Sequence, residues 1–143
     1  MIKTLIQKFD NLKKYFGKFA IVGISGIVVN QGLLTLLKES GFDTKIASIV
    51  AIEVSILTNF LLNNYWTWNQ KGKSGFAKRL FQYHLVTAIS GLLNWLILNI
   101  LEGSYGIHYF IANLIGIGVG TVINFFLNHF WTFNVKLDES EEL

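Results

Sequence analysis

The sequence predicts an all-α integral membrane protein: four transmembrane helices, arranged as two parallel-repeat helical hairpins, behind an N-terminal amphipathic helix. Three observations predict this fold class. Of the 143 residues, 52% are hydrophobic and only 15% are charged, which is too apolar for a small soluble domain. The apolar residues are gathered in four long stretches, and the second half of the chain repeats the first.

Residues 1–18 form the first predicted element, an amphipathic helix. Apolar residues recur at three- and four-residue steps from Ile2 to Phe16, with lysines between them. This pattern is typical of a helix that lies at the cytoplasmic membrane interface. Two roles remain open: the helix positions the first span, or it also holds anionic lipid or a partner protein.

Four spans follow within residues 19–134, at about 19–37, 46–68, 80–101 and 109–133. A hydrocarbon core about 30 Å thick needs roughly 20 apolar residues in helical form, so each stretch is long enough to cross it. The chain contains no proline, and we therefore expect four uninterrupted helices. The acidic residues that close the chain predict a solvated cytoplasmic tail at 135–143.

The distribution of lysine and arginine predicts the orientation. Ten of the twelve lie before span 1, between spans 2 and 3, or after span 4, whereas only Lys38 and Lys45 lie on the other side. The positive-inside rule therefore places both termini and the middle loop in the cytoplasm. The net charge of +3 is explained by this topology, so we expect no nucleic-acid partner.

An internal repeat closes spans 2 and 4. The segment Thr58–Asn69 matches Ile123–Asn134 at seven of twelve positions, with a constant offset of 65 residues. Ser25 and Gly26 match Ser90 and Gly91 at the same offset, while Asn30 and Asn94 align only after a one-residue slip. Each copy contains two spans, so both copies begin and end on the cytoplasmic side. Such parallel repeats frame substrate sites in transporters, but they also arise when a duplicated hairpin simply packs better.

Polar residues inside the predicted spans are the candidate site. Asn59, Asn63, Asn124 and Asn128 cluster toward the cytoplasmic ends, with Asn30 and Asn94 deeper. Buried amides hydrogen-bond between helices for about 0.6–2 kcal/mol each, so helix packing is one explanation. We favour a polar vestibule shared by the two halves. Glu53 is an acidic residue at membrane depth with no counterpart in the second copy. It is either a neutral or hydrated carboxyl, or a functional carboxylate that faces the transport path and contacts the substrate.

The residue content excludes several classes of chemistry. There is no cysteine and there are only three histidines, so a disulfide scaffold, a thiolate site and a zinc site are not expected. No paired carboxylates or nucleophile–base set are apparent. We therefore expect a protein that is not an enzyme and that uses neither a metal nor a cofactor.

The repeated motif resembles the GtrA-like family of small four-span membrane proteins. The resemblance rests on Lys18–Gly23, on N-F-L-L-N-N-Y-W-T-W at Asn59–Trp68 and on N-F-F-L-N-H-F-W-T-F at Asn124–Phe133. It implies a flippase that moves a polyprenyl-phosphate-linked sugar, such as undecaprenyl-phosphate glucose, across the cell membrane. The sugar then serves glycosylation of cell-surface polysaccharide or teichoic acid. A polyprenyl-phosphate glycosyltransferase is the implied partner.

In that interpretation Lys78 and Arg79 contact the phosphate, the six asparagines replace water around the sugar, and Trp66 and Trp131 stack on its ring. Four helices alone suggest a homo-oligomer, and we expect a dimer surrounded by membrane lipid. Two other hypotheses remain open. One is a non-transporting membrane partner that recruits or stabilises the glycosyltransferase, and the other is a small proton-coupled cation exporter that uses Glu53.

Overall fold

The computed structural model describes residues 2–135, with side chains from residue 6 onward. Within that range the chain is helical and contains no strand. The four α-helices are α1 (Ile2–Glu39), α2 (Thr44–Leu62), α3 (Phe76–Tyr105) and α4 (Tyr109–Leu127). Except for Val135, the predicted acidic tail at 135–143 lies outside the described residues. The all-α fold class is confirmed.

Four helical stretches are long and apolar enough to cross a membrane: Ile6–Glu39, Thr44–Thr67, Phe76–Tyr105 and Tyr109–Thr132. Each overlaps one of the four predicted spans, but the first begins at Ile6, well before the predicted start at residue 19. Only 11–22% of the residues in the most apolar part of each stretch are buried. Large apolar side chains therefore cover the outside of the helices. Their exposure to water would be unfavourable, whereas contact with lipid is not. The chain is a multi-pass membrane protein.

The chain divides into two compact units, one up to Lys73 and the other from Ser74 to Val135. In the first unit the turn at residues 40–43 joins α1 to α2, and the two helices pack together. Asp43 caps the start of α2 by accepting a hydrogen bond from the Lys45 backbone N–H at 2.9 Å. Small residues spaced by four, Ala47, Ala51 and Ser55, form the buried stripe of α2. Close helix approach in membranes depends on such residues.

The second unit repeats this construction with α3 and α4. His108 caps α4 through its ring Nδ1, which accepts from the Phe110 backbone N–H at 3.3 Å. The buried stripe of α4 is Ala112, Gly116 and Gly120. These positions lie 65 residues after the three stripe positions of α2. The division of the chain thus coincides with the sequence repeat.

Each of the four spans is one continuous helix, as expected, but two of them change from α- to π-helical geometry at their ends. Asn63–Thr67, after α2, and Asn128–Thr132, after α4, are π-helical; we call them the first and second π turns. Two residues after each turn lies an asparagine with positive φ, Asn69 at 42° and Asn134 at 46°. Asparagine tolerates this conformation better than most residues. The change of geometry needs no proline, because a π turn holds one more residue than an α turn.

The predicted helix at 1–18 is helical within the described residues, but no break separates it from span 1. α1 runs without interruption for 38 residues, or about 57 Å at 1.5 Å per residue. This is longer than a bilayer core of about 30 Å. Part of α1 therefore projects beyond the core, and its placement along the cytoplasmic interface stays a prediction.

Candidate functional site

The two π turns place the same residue types in the same environments. Asn63 and Asn128, which begin the turns, are 1% and 0% exposed, and the threonines four residues later, Thr67 and Thr132, are also buried. In contrast Trp66 and Trp131 are 45% and 47% exposed. Each turn thus carries an amide and a hydroxyl inside and an indole outside. π-helical turns of this kind occur often at functional sites.

The backbone of the two turns also repeats. Trp68 N–H donates to Asn63 O at 2.9 Å, and Phe133 N–H donates to Asn128 O at 2.8 Å. The ring of Phe19 lies 5.8 Å from that of Trp68, and the ring of Tyr83 lies 6.4 Å from that of Phe133. Aromatic pairs at these separations are favourable. They anchor each turn to the odd-numbered helix of its own unit.

These contacts revise the alignment of the odd-numbered helices. Phe19 corresponds to Tyr83, an offset of 64 residues, and Val22 and Val86 are both buried at the same offset. Gly26 then corresponds to Ser90, and the predicted pairing of Gly26 with Gly91 is wrong. Both Gly26 and Ser90 are buried, while Gly91 is exposed. The 64-residue offset that aligns Asn30 with Asn94 therefore applies to all the residues through which α1 and α3 pack against their partner helices.

Asn59 in the first unit lies against the backbone of α1. A Cβ atom on Gly26 would lie 2.7 Å from Asn59 Cγ and closer still to the amide nitrogen and oxygen. One turn earlier the Ser55 hydroxyl donates to Gly26 O at 2.9 Å. Asn59 Oδ1 is buried and accepts no hydrogen bond from the described residues. Glycine at position 26 is therefore required for this helix contact.

In the second unit the amide that fills the helix interface comes from α3 instead. A Cβ on Gly116 would lie 3.0 Å from the backbone oxygen of Asn94 and 3.2 Å from its Cγ. A Cβ on Gly120 would lie 3.1 Å from Ser90 O. Asn94 Oδ1 is buried, and within residues 2–135 it accepts no hydrogen bond. In both units a glycine on one helix therefore contacts an asparagine on the other. The roles are exchanged: the glycine lies on the first helix of the first unit and on the second helix of the second unit.

Asn124 and Asn128 are brought together directly. Asn128 Nδ2 donates to the backbone oxygen of Asn124 at 3.0 Å and to its Oδ1 at 2.7 Å. Asn124 itself is half-buried. These two members of the predicted vestibule thus form one hydrogen-bonded pair. The vestibule between the two halves stays a prediction.

The predicted phosphate contacts lie in the first turn of α3. Lys78 is exposed, whereas Arg79 is 8% exposed and donates through Nη1 to Ser74 O at 2.6 Å. Cations at a helix N-terminus add to the positive end of the helix dipole. Positive charge is therefore concentrated at the start of α3, but most of the Arg79 surface is buried, and the phosphate contact stays a prediction.

The structure adds a cation beside one of the predicted tryptophans. Lys18 Nζ donates to Trp66 O at 3.3 Å and lies 5.7 Å from the centre of the Trp66 ring. A cation over an indole face is favourable. The sequence placed Lys18 among the topology signals only. Its link to Trp66 spans 48 positions, and no local pattern indicates it.

The remaining predicted residues lie apart from the π turns along the chain. Glu53 is exposed in the middle of α2, and Asn30 is half-buried on α1. Within residues 2–135 no three histidine, aspartate or glutamate side chains lie together as a metal site requires. Thr67 and Thr132 are buried polar residues of the π turns that the sequence analysis did not single out. The sequence did contain a signal for them, because the same residue type stands at this position in both copies of the repeat.

Comparison with known proteins decides the family. The family model for the GtrA/DPMS transmembrane domain matches residues 18–133. The chain belongs to this family. The family resemblance predicted from the two asparagine–tryptophan motifs is therefore confirmed.

Two curated relatives show how the family segment occurs in other proteins. The chain is 43% identical over 111 residues to a dolichol-phosphate mannosyltransferase of Pyrococcus furiosus, an alignment covering 75% of this chain but only 31% of that protein. It is 22% identical over 139 residues to the uncharacterized membrane protein YngA of Bacillus subtilis, covering 97% of this chain and 90% of the relative. The chain thus spans about a third of the mannosyltransferase and nearly all of YngA.

Proposed function

We propose that this protein moves a polyprenyl-phosphate-linked sugar across the cell membrane, with undecaprenyl-phosphate glucose as an example of the substrate class. The observation that carries the proposal is the pair of π turns. Each places a buried amide next to an exposed indole at the end of a span. Neutral amides hydrogen-bond to hydroxyl-rich groups without bringing a charge into the membrane.

The chemistry of such a substrate suits the groups available. Its polyprenyl tail stays in the bilayer, so only the sugar and the phosphate need polar contacts. Lys78 and Arg79 at the start of α3 supply positive charge for the phosphate. Trp66 and Trp131 supply flat apolar faces for the sugar ring, and the six asparagines replace its water. The name of the Pyrococcus furiosus relative, which specifies a polyprenyl phosphate and a sugar, supports this substrate class.

In this proposal both termini and the Lys78–Arg79 turn face the cytoplasm, where the substrate is loaded. Consumption of the sugar on the outer side for polysaccharide or teichoic acid glycosylation drives net transport, and no chemical step occurs on the protein. Apolar side chains cover most of each helix, and we propose that a second copy, as a dimer, covers part of them.

The experiment is a leaflet-exchange assay in liposomes with purified protein and undecaprenyl-phosphate glucose. Faster exchange than in protein-free liposomes supports the proposal. Trp131→Ala should slow exchange, while Trp95→Ala, which removes an exposed indole in the middle of α3, should leave it unchanged. Equal exchange with and without protein would refute the proposal.

A second candidate function has a specific observation in its favour. The alignment covers only 31% of the Pyrococcus furiosus dolichol-phosphate mannosyltransferase, so that relative carries a similar segment within a longer chain. The present chain would then recruit or stabilise a separate polyprenyl-phosphate glycosyltransferase. Copurification of such an enzyme, with loss of its activity when this protein is deleted and with no exchange activity in liposomes, would favour this function.

The exporter hypothesis predicts that Glu53→Gln abolishes proton-coupled cation export. A lipid-sugar translocase tolerates that substitution, because Glu53 lies outside the π turns. The same variant, tested in both assays, therefore separates the two functions.

A further inference from the structure

The two π turns differ in one respect that the sequence repeat does not show. In the first turn the Thr67 hydroxyl donates to Asn63 Oδ1 at 2.7 Å, and the bond is buried. In the second turn Thr132 Oγ1 and Asn128 Oδ1 are buried, and neither has a hydrogen-bond partner among the described residues. We call the threonine–asparagine pair closed where the two side chains are hydrogen-bonded to each other, as in the first turn, and open where they are not, as in the second.

The difference follows from the residue on the neighbouring helix. Gly26 leaves room for the Asn59 side chain against α1. The equivalent residue in α3 is Ser90, whose Cβ would overlap an Asn124 side chain placed as Asn59 is placed in the first unit. Asn124 instead accepts both hydrogen bonds of Asn128 Nδ2. This orients the Asn128 amide toward the preceding turn and takes its oxygen away from Thr132.

A buried polar group without a partner costs about 1–3 kcal/mol, so native proteins contain few of them and those few call for a reason. Here a donor and an acceptor both lack a partner, in residues that are 3% and 0% exposed. The closed pair in the first turn shows that this backbone readily satisfies both groups. The open pair is thus a feature of this copy and not a requirement of the fold.

We infer that Thr132 and Asn128 form a binding site for one hydroxyl group of the sugar. A hydroxyl donates to Asn128 Oδ1 and accepts from the Thr132 O–H, which uses both open groups. An ionised phosphate oxygen can only accept hydrogen bonds. It would therefore be repelled by the partial negative charge on Asn128 Oδ1. This inference rests on the proposed function for its substrate class. Because both atoms are buried, the hydroxyl enters when the end of span 4 opens locally.

Thr132→Val tests the site, because valine keeps the shape of threonine and removes only the hydroxyl. The probes are undecaprenyl-phosphate glucose and undecaprenyl phosphate without sugar, with equilibrium binding measured in nanodiscs. We expect Thr132→Val to weaken binding of the glucose-bearing lipid about two- to tenfold, which corresponds to one neutral hydrogen bond. Binding of the sugar-free lipid should not change, and Thr132→Ser should restore wild-type binding.

Thr67→Val is the matched control in the first turn. It removes a satisfied hydrogen bond, so it should lower Tm by about 2–4 °C and leave binding of both lipids unchanged. Thr132→Val should not lower Tm, since its hydroxyl has no partner to lose.

Three outcomes would overturn the site. The first is an equal loss for both lipids, which indicates a phosphate contact, and the second is unchanged binding of both, which indicates a buried water or no ligand. The third is a loss of stability in Thr132→Val as large as in Thr67→Val. Wild-type protein that binds the glucose-bearing lipid but does not speed leaflet exchange would refute translocation and leave this site in place.

Discussion

Gly116→Ala is the sharpest test of how the second unit is packed. The new Cβ would lie 3.0 Å from the backbone oxygen of Asn94 and 3.2 Å from its Cγ, with the Asn94 amide oxygen closer still. Rotation of the side chain removes the last two contacts, but the backbone contact remains unless α3 moves. Overpacking of this kind costs about 1–3 kcal/mol.

Gly118→Ala provides the reference for this measurement. A Cβ at position 118 meets no atom within 4 Å, and the residue lies in the same helix. Alanine is favoured over glycine by about 1 kcal/mol in a helix, and this gain applies to both variants. The difference between their free energies of unfolding, measured by chemical denaturation in detergent, therefore isolates the contact. We expect Gly116→Ala to be less stable by about 1–3 kcal/mol, and equality within about 0.5 kcal/mol would refute the packing argument.

A second substitution separates side-chain from backbone contacts. In the first unit the three atoms nearest to a Cβ on Gly26 all belong to the Asn59 side chain. Asn59→Ala should therefore recover nearly all of the stability lost in Gly26→Ala. Asn94→Ala should recover only part of the loss in Gly116→Ala, because the backbone oxygen stays. Equal recovery in the two units would contradict the structure.

Three further predictions concern helix contacts, capping and orientation. Ser55→Ala removes a buried hydrogen bond between helices and should cost about 0.5–1.5 kcal/mol in an unfolding series, more than Ser25→Ala, whose hydroxyl bonds within its own helix. Asp43→Ala removes the cap of α2 and should cost about 0.5–2 kcal/mol in the same series; no change would show that the cap is dispensable. Because the chain has no cysteine, Ser74→Cys and Ser104→Cys can be labelled singly, and a membrane-impermeant thiol reagent should reach the first only from the cytoplasm and the second only from outside. The opposite result would overturn the orientation.

The helical type and the approximate bounds of spans 2 to 4 were predictable from the sequence, whereas the joining of the N-terminal helix and span 1 into one helix was not. Apolar stretches of spanning length are dictated by bilayer thickness, which acts on each stretch independently. The repeat also placed Asn63 and Asn128 at equivalent positions. The division into two helix pairs followed because each copy must bury its own stripe of small residues.

The π turns and the direction of each amide were not predictable. A π turn adds one residue to a helical turn, and the hydrophobic pattern of five residues is too short to reveal it. The direction of Asn59 depends on Gly26, which lies in another helix 33 positions earlier. Likewise the open Thr132–Asn128 pair depends on Ser90. Such differences arise only when helices pack, so two similar sequence copies can carry different hydrogen bonds.

The central claim is that this protein carries a sugar-bearing polyprenyl phosphate from one leaflet to the other. The direct measurement loads undecaprenyl-phosphate glucose into both leaflets of sealed liposomes and follows its consumption by a sugar-oxidising probe added outside. With the wild-type protein we expect the inner-leaflet pool to be consumed along with the outer one. If the inner-leaflet pool persists as it does in protein-free liposomes, the account is contradicted.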